Sequence, residues 1–347
     1  MTSTVAEKPT EDDTPRRRPL RLRLASANTL WISLVLLALI AVFAAINPGA
    51  VLTLFNLQTT LIETSVLLVL AVGMTFVIIT SGIDLSVGSV LVFSGITSAL
   101  VMNAMSPGGD STGAGWGVIT VGLLVALVSG AAWGLLNGIL VAKAKIPPLI
   151  VTLGSFGAAL GAGELLTGGS DVRTVPDALA TTLGSGTSFG VVPNLVILAA
   201  VVTAVGAWLL GTTKFGRYTY AVGSNEVAAR RTGIAVTRHL VLVYLLTGVL
   251  AGLAGFMSLA YFRTTTLTSH STDNLNAIAG VVLGGTSLFG GVGSIIGTVV
   301  GVFIPAVLQK GFVIIGVNVY WQPIAVAIVL VAAVWFDQAR RRARNSR

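Results

Sequence analysis

The sequence contains no cysteine and only two histidines, His239 and His270. The absence of cysteine excludes disulfide bonds, thiolate metal sites and cysteine nucleophiles. Because the two histidines stand far apart in the chain, we interpret them as interfacial or loop residues and predict no metal site.

Charged residues are also scarce. Of the 347 residues, 10% are charged and 54% are apolar, whereas about 25% of a soluble domain is charged. The apolar residues form runs of about 17 to 25, the length that crosses the hydrocarbon layer of a bilayer. We therefore predict an all-α, polytopic membrane protein with about ten transmembrane helices. The predicted spans cover residues 30–46, 59–80, 88–105, 117–142, 148–168, 191–212, 239–262, 276–290, 293–316 and 321–337.

Basic residues mark the predicted cytoplasmic side. Arginines cluster before the first span, at 16–23, and after the last span, at 340–347, and an excess of this kind is typical of cytoplasmic segments. We predict both termini in the cytoplasm and hence an even number of crossings. The predicted organisation is a disordered cytoplasmic tail over 1–28, a transmembrane domain over 29–338 and a basic cytoplasmic tail over 339–347.

Polar residues interrupt the apolar pattern between the second and third spans, at ITSGIDLSVGSV (79–90). A carboxylate at membrane depth costs at least about 2.5 to 3.5 kcal/mol, so Asp84 needs partners or water. Two interpretations remain open. Asp84 or Ser86 caps the next helix, or these residues and Gly88 line a substrate pathway.

A second polar and glycine-rich interruption, VLGGTSLFGGVGS (282–294), contains Gly285, Thr286 and Ser287. It shares the tripeptide Val-Gly-Ser with the first interruption. Paired interruptions in the two halves of a transporter indicate an internal repeat and a central pathway. We predict that polar residues of both interruptions lie along this pathway.

Glycine recurs every fourth residue from this point, at Gly293, Gly297 and Gly301. Small residues at this spacing leave one helix face bare, so that another backbone can approach closely. The stripe predicts close packing, and we favour packing inside the bundle over a dimer face.

The loop at 214–238 contains a short predicted helix with clear ends. We predict that this helix buries nothing in its own bundle and is available to dock on a partner. Its signals are Ser224 or Asn225 as the cap, Glu226 at the positive end of the helix dipole, Arg230 and Arg231 at the negative end, and Gly233 as a left-handed stop.

Four segments carry a resemblance to a known family: AVGMTFVIITSGIDLSVGS (71–89), NGILVAKAKIPPLIVTLG (137–154), GSNEVAARRTGI (223–234) and AIAGVVLGGTSLFGGVGS (277–294). The chain resembles the permease subunits of bacterial ribose-, xylose- and arabinose-type sugar ABC importers over most of its length. The resemblance implies a cobalamin-type (type II) permease with interrupted helices in the cytoplasmic (inner) membrane. It also implies a dimer of permeases, ABC ATPase subunits, an extracytoplasmic solute-binding protein, and a coupling helix that contacts the ATPase through Gly223, Asn225, Glu226, Ala228, Arg230 and Gly233.

The chain departs from the family pattern at three positions and in one segment, GGVGS (290–294), which lacks the basic residues of the ribose type. Asn274 and Asn276 replace acidic residues, and Leu160 stands where an arginine is frequent. These departures leave open which solute is carried and whether the permease pairs with a copy of itself or with a homologous chain.

From these observations we predict a transport subunit, not an enzyme, that imports a small polar solute by alternating access, with a monosaccharide as the first candidate. The chain has no phosphate-binding loop, so we expect ATP and Mg²⁺ at the partner ATPase and no cofactor in this chain. Two alternatives remain. One is an ion-coupled secondary transporter or channel that uses Glu63, Asp84 and Glu164, and the other is an ABC permease for nucleosides or branched-chain amino acids.

Overall fold

The structure, a computed structural model, describes residues 27–265, 267, 270, 272–318, 320–328, 331 and 335. This part of the chain is predominantly α-helical. Its short non-α elements are a 3-10 turn (Pro107–Gly109), a π-helical turn (Ala180–Gly184) and a hairpin of β1 (Thr187–Ser188) and β2 (Val192–Pro193). The helices are α1 (Ala27–Ile46), α2 (Pro48–Val51), α3 (Leu54–Ile79), α4 (Val87–Ala104), α5 (Trp116–Ala142), α6 (Pro148–Thr167), α7 (Asp177–Leu179), α8 (Asn194–Thr212), α9 (Lys214–Ser224), α10 (Glu226–Arg231), α11 (Val236–Phe262), α12 (Asp273–Leu283) and α13 (Ile295–Ile314).

Seven of these helices, α3, α4, α5, α6, α8, α11 and α13, are long and apolar enough to cross a membrane. They confirm seven of the predicted runs as helices, with bounds that differ by a few residues. α1 also forms over the first predicted run, although its described apolar stretch, Leu30–Ile46, is shorter. The last predicted span, 321–337, and the predicted tails, 1–28 and 339–347, lie wholly or partly outside the described residues.

The predicted span 276–290 is wrong as a continuous crossing, because α12 ends at Leu283. The backbone from 284 to 294 is not helical. Gly285 and Gly290 in this connection have φ angles of 89° and 80°, a conformation that glycine adopts readily and other residues rarely do. The glycines therefore end the helix although the sequence stays largely apolar.

α3 occupies the centre of the bundle. Every residue from Thr64 to Ile79 is buried, and α8, α11, α12 and α13 all pack against this helix. A helix that is apolar on all faces is suited to such a position. α3 is therefore the central helix of the bundle, and the connection that follows it begins inside the protein.

α5 and α11 pack closely through glycines. A Cβ on Gly130 would overlap the carbonyl oxygen of Gly248, and a Cβ on Gly134 would overlap that of Tyr244. Small residues at helix interfaces permit this backbone approach in membrane proteins. The sequence had indicated a tightly packed bundle, and this interface is one instance of it.

The glycine stripe of α13 also packs inside the bundle, which confirms the interpretation we favoured. A Cβ on Gly297 would overlap the carbonyl oxygen of Gly284, and a Cβ on Gly301 would overlap that of Gly280 at the end of α12. The stripe therefore holds α13 against α12 and against the connection between them.

Both histidines are buried. His239 lies in the first turn of α11, where its Nε2 is 3.0 Å from Thr219 Oγ1 of α9, so it is a helix residue and not a loop residue. His270 does lie in a loop, and its Nε2 is 2.7 Å from Ser258 Oγ of α11. Each histidine therefore ties a neighbouring segment to α11.

Candidate functional site

The first break, defined as residues 80–86, connects α3 to α4. Ser81 has a φ of 64°, a left-handed conformation that is uncommon for residues other than glycine. The next residue, Gly82, lies so close to α11 that a Cβ would stand 2.7 Å from the hydroxyl oxygen of Tyr244. The backbone of this break is therefore fitted closely to the helices around it.

Asp84 is buried in this break, with 2% of its surface exposed. Its Oδ1 accepts hydrogen bonds from the backbone N–H of Ser86 (2.9 Å) and from the Ser86 hydroxyl (2.6 Å). Ser86 is the N-cap residue of α4, but its side chain makes no capping bond. Neither side chain therefore caps the first turn of α4 as the capping interpretation required. Asp84 instead stabilises the turn that leads into this helix.

A chain of side-chain hydrogen bonds extends from Asp84 to two further helices. Asn137 Nδ2 of α5 donates to Ser86 Oγ (2.9 Å), and Ser155 Oγ of α6 donates to Asn137 Oδ1 (2.5 Å). All four residues are buried. Because buried polar networks stabilise a structure only when their members are satisfied, this chain fixes the first break relative to α5 and α6.

Two backbone carbonyls of the first break are also bonded by neighbouring helices. Thr152 Oγ1 of α6 donates to the carbonyl of Ile83 (3.2 Å), and Asn274 Nδ2 of α12 donates to that of Leu85 (3.0 Å). The site residues predicted from the sequence do not include Asn137, Ser155, Thr152 or Asn274. A usable signal existed, because an amide or hydroxyl within an apolar helix needs a partner inside the bundle.

The second break, defined as residues 284–294, connects α12 to α13. Thr286 and Ser287 are both buried there, with 2% and 4% of their surfaces exposed. Within the part of the chain that the structure describes, the Thr286 hydroxyl oxygen is buried without a hydrogen-bond partner. Leaving such a group unpaired costs about 1 to 3 kcal/mol, so Thr286 is a group that a polar ligand or water can satisfy.

The two breaks are in direct contact. The N–H of Gly291 donates to the carbonyl of Ile79 at the end of α3 (2.8 Å), and Ser81 Oγ donates to the carbonyl of Phe289 (3.0 Å). The sequence predicts paired interruptions, and the structure brings their backbones together. Gly88, which was also predicted for this site, lies instead against the carbonyl oxygen of His270, 2.8 Å from where its Cβ would stand.

The predicted loop helix is confirmed as α10. Asn225 Oδ1 accepts from the N–H of Ala228 (2.9 Å), Glu226 pairs with Arg230 (2.6 Å) and Gly233 has a φ of 85°. Two corrections apply. The preceding residues form a second helix, α9, which was not predicted, and Ala229 of α10 is buried against Val222 and Val236, so α10 does bury one residue in its own bundle.

The α9–α10 segment contacts both breaks. Gly223, at the end of α9, has no room for a Cβ because this atom would overlap the carbonyl oxygen of Ile79, and its own carbonyl accepts from Ser81 Oγ (3.3 Å). Tyr220 donates its hydroxyl to the carbonyl of Gly293 in the second break (2.8 Å). Burial raises the pKa of the Tyr220 hydroxyl, so this group stays protonated and remains a donor. The α9–α10 segment is therefore joined to both breaks by hydrogen bonds.

A cavity of about 640 Å³ opens between α10 and the first break. Its walls include Ser81, Gly82, Lys145 and the Glu226–Arg230 pair. The hydroxyl oxygen of Tyr244, which also lines this cavity, is buried without a hydrogen-bond partner among the described residues. Non-helical backbone at membrane depth is tolerated where it lines such a cavity, which accounts for the first break.

Glu63 and Glu164, which the ion-coupled alternative also requires, both lie outside the two breaks. Glu63 of α3 forms an ion pair with Lys310 of α13, at 2.9 Å between Oε1 and Nζ. Glu164 lies near the end of α6 and is exposed. Glu63 thus has a specific partner on another helix, whereas Glu164 lies on the surface.

Residues 56–334 match the family described as branched-chain amino acid transport system / permease component. The ribose import permease protein RbsC of Escherichia coli strain K12 is 39% identical over 315 residues, which are 89% of this chain and 93% of that protein. The ribose import permease protein RbsC of Bacillus subtilis strain 168 is 37% identical over 308 residues, 88% of this chain and 91% of that protein. The probable ABC transporter permease protein y4mJ of Sinorhizobium fredii is 35% identical over 282 residues, which are 81% of this chain and 80% of that protein. No solved structure gives a significant match.

Proposed function

The chain belongs to the branched-chain amino acid transport system / permease component family, and from this premise we propose that it is the permease subunit of an ATP-driven importer for a monosaccharide. The observation that carries the proposal is the 39% identity to a ribose import permease over 89% of the chain. The family description names amino acids, but two of the relatives above are named as ribose permeases. These relatives favour a sugar over the nucleoside, amino acid and ion-coupled alternatives.

The chain is a multi-pass transport subunit of the inner membrane and not an enzyme. A permease of an ABC importer works with an ATPase and with a solute-binding protein. The finer features are part of our proposal: two permeases, either identical or homologous, form a type II dimer. Each contributes ten helices with both termini in the cytoplasm, and the ATPase subunits bind ATP and Mg²⁺.

The ATPase docks on the exposed face of α10 in this proposal. Asn225, Glu226, Ala228 and Arg230 are all exposed, and no helix of the described chain covers them. Gly223 and Gly233 shape the two ends of the segment. Because Tyr220 and Gly223 contact the two breaks, a displacement of α10 by the ATPase would be passed through α9 to both of them.

The solute pathway in this proposal follows the two breaks. A hydrated sugar loses hydrogen bonds with water when it enters a pore, so the pathway must offer polar groups or retain water. Asp84 and Ser86 in the first break and Thr286 and Ser287 in the second supply such groups. Gly88 permits the close approach of the His270 carbonyl, and Gly285 adopts the positive φ that ends α12.

The docking step is tested with Asn225→Pro. Asn225 has a φ of −163°, its N–H donates to Ala221 O (3.1 Å) and its side chain caps α10. Proline fixes φ near −65° and has no N–H, so this change removes both hydrogen bonds and misdirects α10. We expect the variant to insert into the membrane but to lose co-purification with the ATPase, whereas Asn225→Asp, which keeps the capping oxygen, retains it. Intact association of Asn225→Pro would contradict the docking proposal.

A further inference from the structure

A second cavity, of about 180 Å³, lies between α3, α11, α12 and α13. Glu63 of α3 lines this cavity and precedes Ile79 by 16 residues. At the rise of an α-helix, the two residues are about 24 Å apart along the helix axis. Ile79 contacts the α9–α10 segment, so this cavity lies toward the opposite end of the bundle. We call it the Glu63 cavity. We propose that it binds a single polyhydroxylated ring, as the site at which the solute first enters the permease, and this inference rests on the proposed function.

The lining complements both surfaces of a sugar ring, its hydroxyl groups and its C–H faces. Glu63, Asp273, Asn276 and Gln309 contribute carboxylate and amide groups, which can accept from and donate to hydroxyl groups. Tyr261 and Phe262 contribute aromatic rings. The negative face of an aromatic ring favours contact with the partly positive hydrogens of C–H groups, and such hydrogens cover the faces of a sugar ring.

Each of the two carboxylates is held by a neighbouring side chain through one of its oxygens. Lys310 Nζ bonds Glu63 Oε1 at 2.9 Å, and His270 Nδ1 lies 2.7 Å from Asp273 Oδ2. A carboxylate has two oxygens with about four acceptor sites, so each of these groups retains acceptor capacity for a ligand. The held atoms fix the orientation of the side chains before a solute arrives, which lowers the entropy lost on binding.

The amides are arranged in the same way. Gln309 Nε2 donates to Asn276 Oδ1 at 3.4 Å. An amide NH₂ group has two donors, so the Nδ2 group of Asn276 provides donors for a hydroxyl oxygen. Carboxylates that accept, together with amides that donate, match the hydroxyl groups of a sugar, each of which does both.

The volume limits the solute to one ring. A protein cavity of about 150 Å³ holds one benzene molecule, so a cavity of about 180 Å³ accommodates a five- or six-membered sugar ring. A second ring would lie outside this volume and lack its contacts, so the Glu63 cavity favours monosaccharides over disaccharides.

The absence of cysteine in the natural chain allows a direct test by thiol labelling. Asn276→Cys places a thiol in the cavity, and Ser170→Cys places one on an exposed loop as the control. Each full-length variant in lipid nanodiscs is treated with a small, water-soluble methanethiosulfonate reagent. We expect high concentrations of D-ribose to slow labelling at position 276 by at least about threefold, maltose to have no effect there, and neither sugar to alter labelling at position 170.

Three outcomes would overturn the inference: a thiol at 276 that never reacts, equal protection by D-ribose and maltose, or labelling at 276 that D-ribose does not change. A second measurement separates this inference from the proposed function. In the complete importer, Asp273→Ala and Asn276→Ala should each lower the rate of sugar uptake at saturating sugar by roughly tenfold, the effect of losing one strong hydrogen bond. The exposed-loop control Ser170→Ala should not change it.

ATPase co-purification should be unchanged in all three uptake variants. If the wild-type importer takes up no sugar, the proposed function fails. If it takes up sugar and the two cavity variants do so equally well, only the cavity inference fails.

Discussion

The contact of α9 with both breaks leads to a specific prediction about coupling. Tyr220→Phe removes the hydrogen bond to Gly293 O (2.8 Å), and Ser81→Ala removes those to Phe289 O (3.0 Å) and Gly223 O (3.3 Å). Neither change touches the exposed face of α10. The double variant should therefore keep its ATPase while transmitting less of the ATPase movement to the breaks.

The size of the effect follows from the environment of each bond. A hydrogen bond contributes about 0.5 to 1.5 kcal/mol net. The Tyr220 hydroxyl is partly buried, so we assign it about 1 kcal/mol, and Ser81 is exposed, so we assign it about 0.5 kcal/mol. We add the two contributions without a coupling term to set the scale of the effect. The sum of about 1.5 kcal/mol corresponds to roughly a tenfold change.

The assay is the number of sugar molecules imported per ATP hydrolysed, measured in proteoliposomes that contain the permease, its ATPase and its binding protein. We expect this ratio to fall about tenfold in the double variant, with unchanged ATPase co-purification. Tyr218→Phe is the matched control, because Tyr218 lies on the same helix and is 40% exposed. An unchanged ratio in the double variant, or an equal loss in Tyr218→Phe, would refute the reasoning.

Three further predictions concern the breaks and their packing. Asp84→Ala should lower the thermal stability of the purified protein, because the buried N–H of Ser86 loses its acceptor at a cost of about 1 to 3 kcal/mol. Asp84→Asn keeps an acceptor oxygen, so its thermal stability should stay close to that of the wild type. Normal stability and normal uptake in Asp84→Ala would discard both the structural role and the pathway role of this residue. Gly223→Ala should cost about 1 to 3 kcal/mol by overpacking against Ile79 O, seen as a lower midpoint in thermal unfolding. Gly211→Ala is its control, because a Cβ there meets nothing within 4 Å. Equal midpoints for the two variants would argue against close packing of Gly223 on Ile79. Gly301→Leu should separate α13 from α12 and reduce the yield of monodisperse protein in size-exclusion chromatography, and an undiminished yield would count against the packing of the stripe.

The long apolar helices could be predicted from the sequence because length and hydropathy are local properties. The ends of α10 could be predicted for the same reason, since Asn225 and Gly233 act on the residues beside them. The end of α12 at Leu283 was missed because an apolar run does not reveal where glycines leave the helical conformation. α9 was missed because its sequence is polar and aromatic rather than uniformly apolar.

The candidate site was predicted only in part, for a physical reason. Asp84 and Thr286 could be selected because polar groups at membrane depth require an explanation. The more distant members of the Asp84 network could not be placed, because Asn137 and Ser155 lie on other helices and connect to Asp84 only through Ser86, an arrangement that tertiary packing creates. The Glu63–Lys310 pair spans 247 positions in the chain, a separation at which sequence spacing carries no information about contact.

The most direct test of the account is sugar uptake into proteoliposomes that contain this chain, its ATPase and its binding protein, with D-ribose as the first probe. We predict uptake that requires ATP hydrolysis and persists when a protonophore abolishes the proton gradient at constant ATP. Uptake that continues without the ATPase, or that stops with the proton gradient while ATP is still hydrolysed, would contradict an ATP-driven permease.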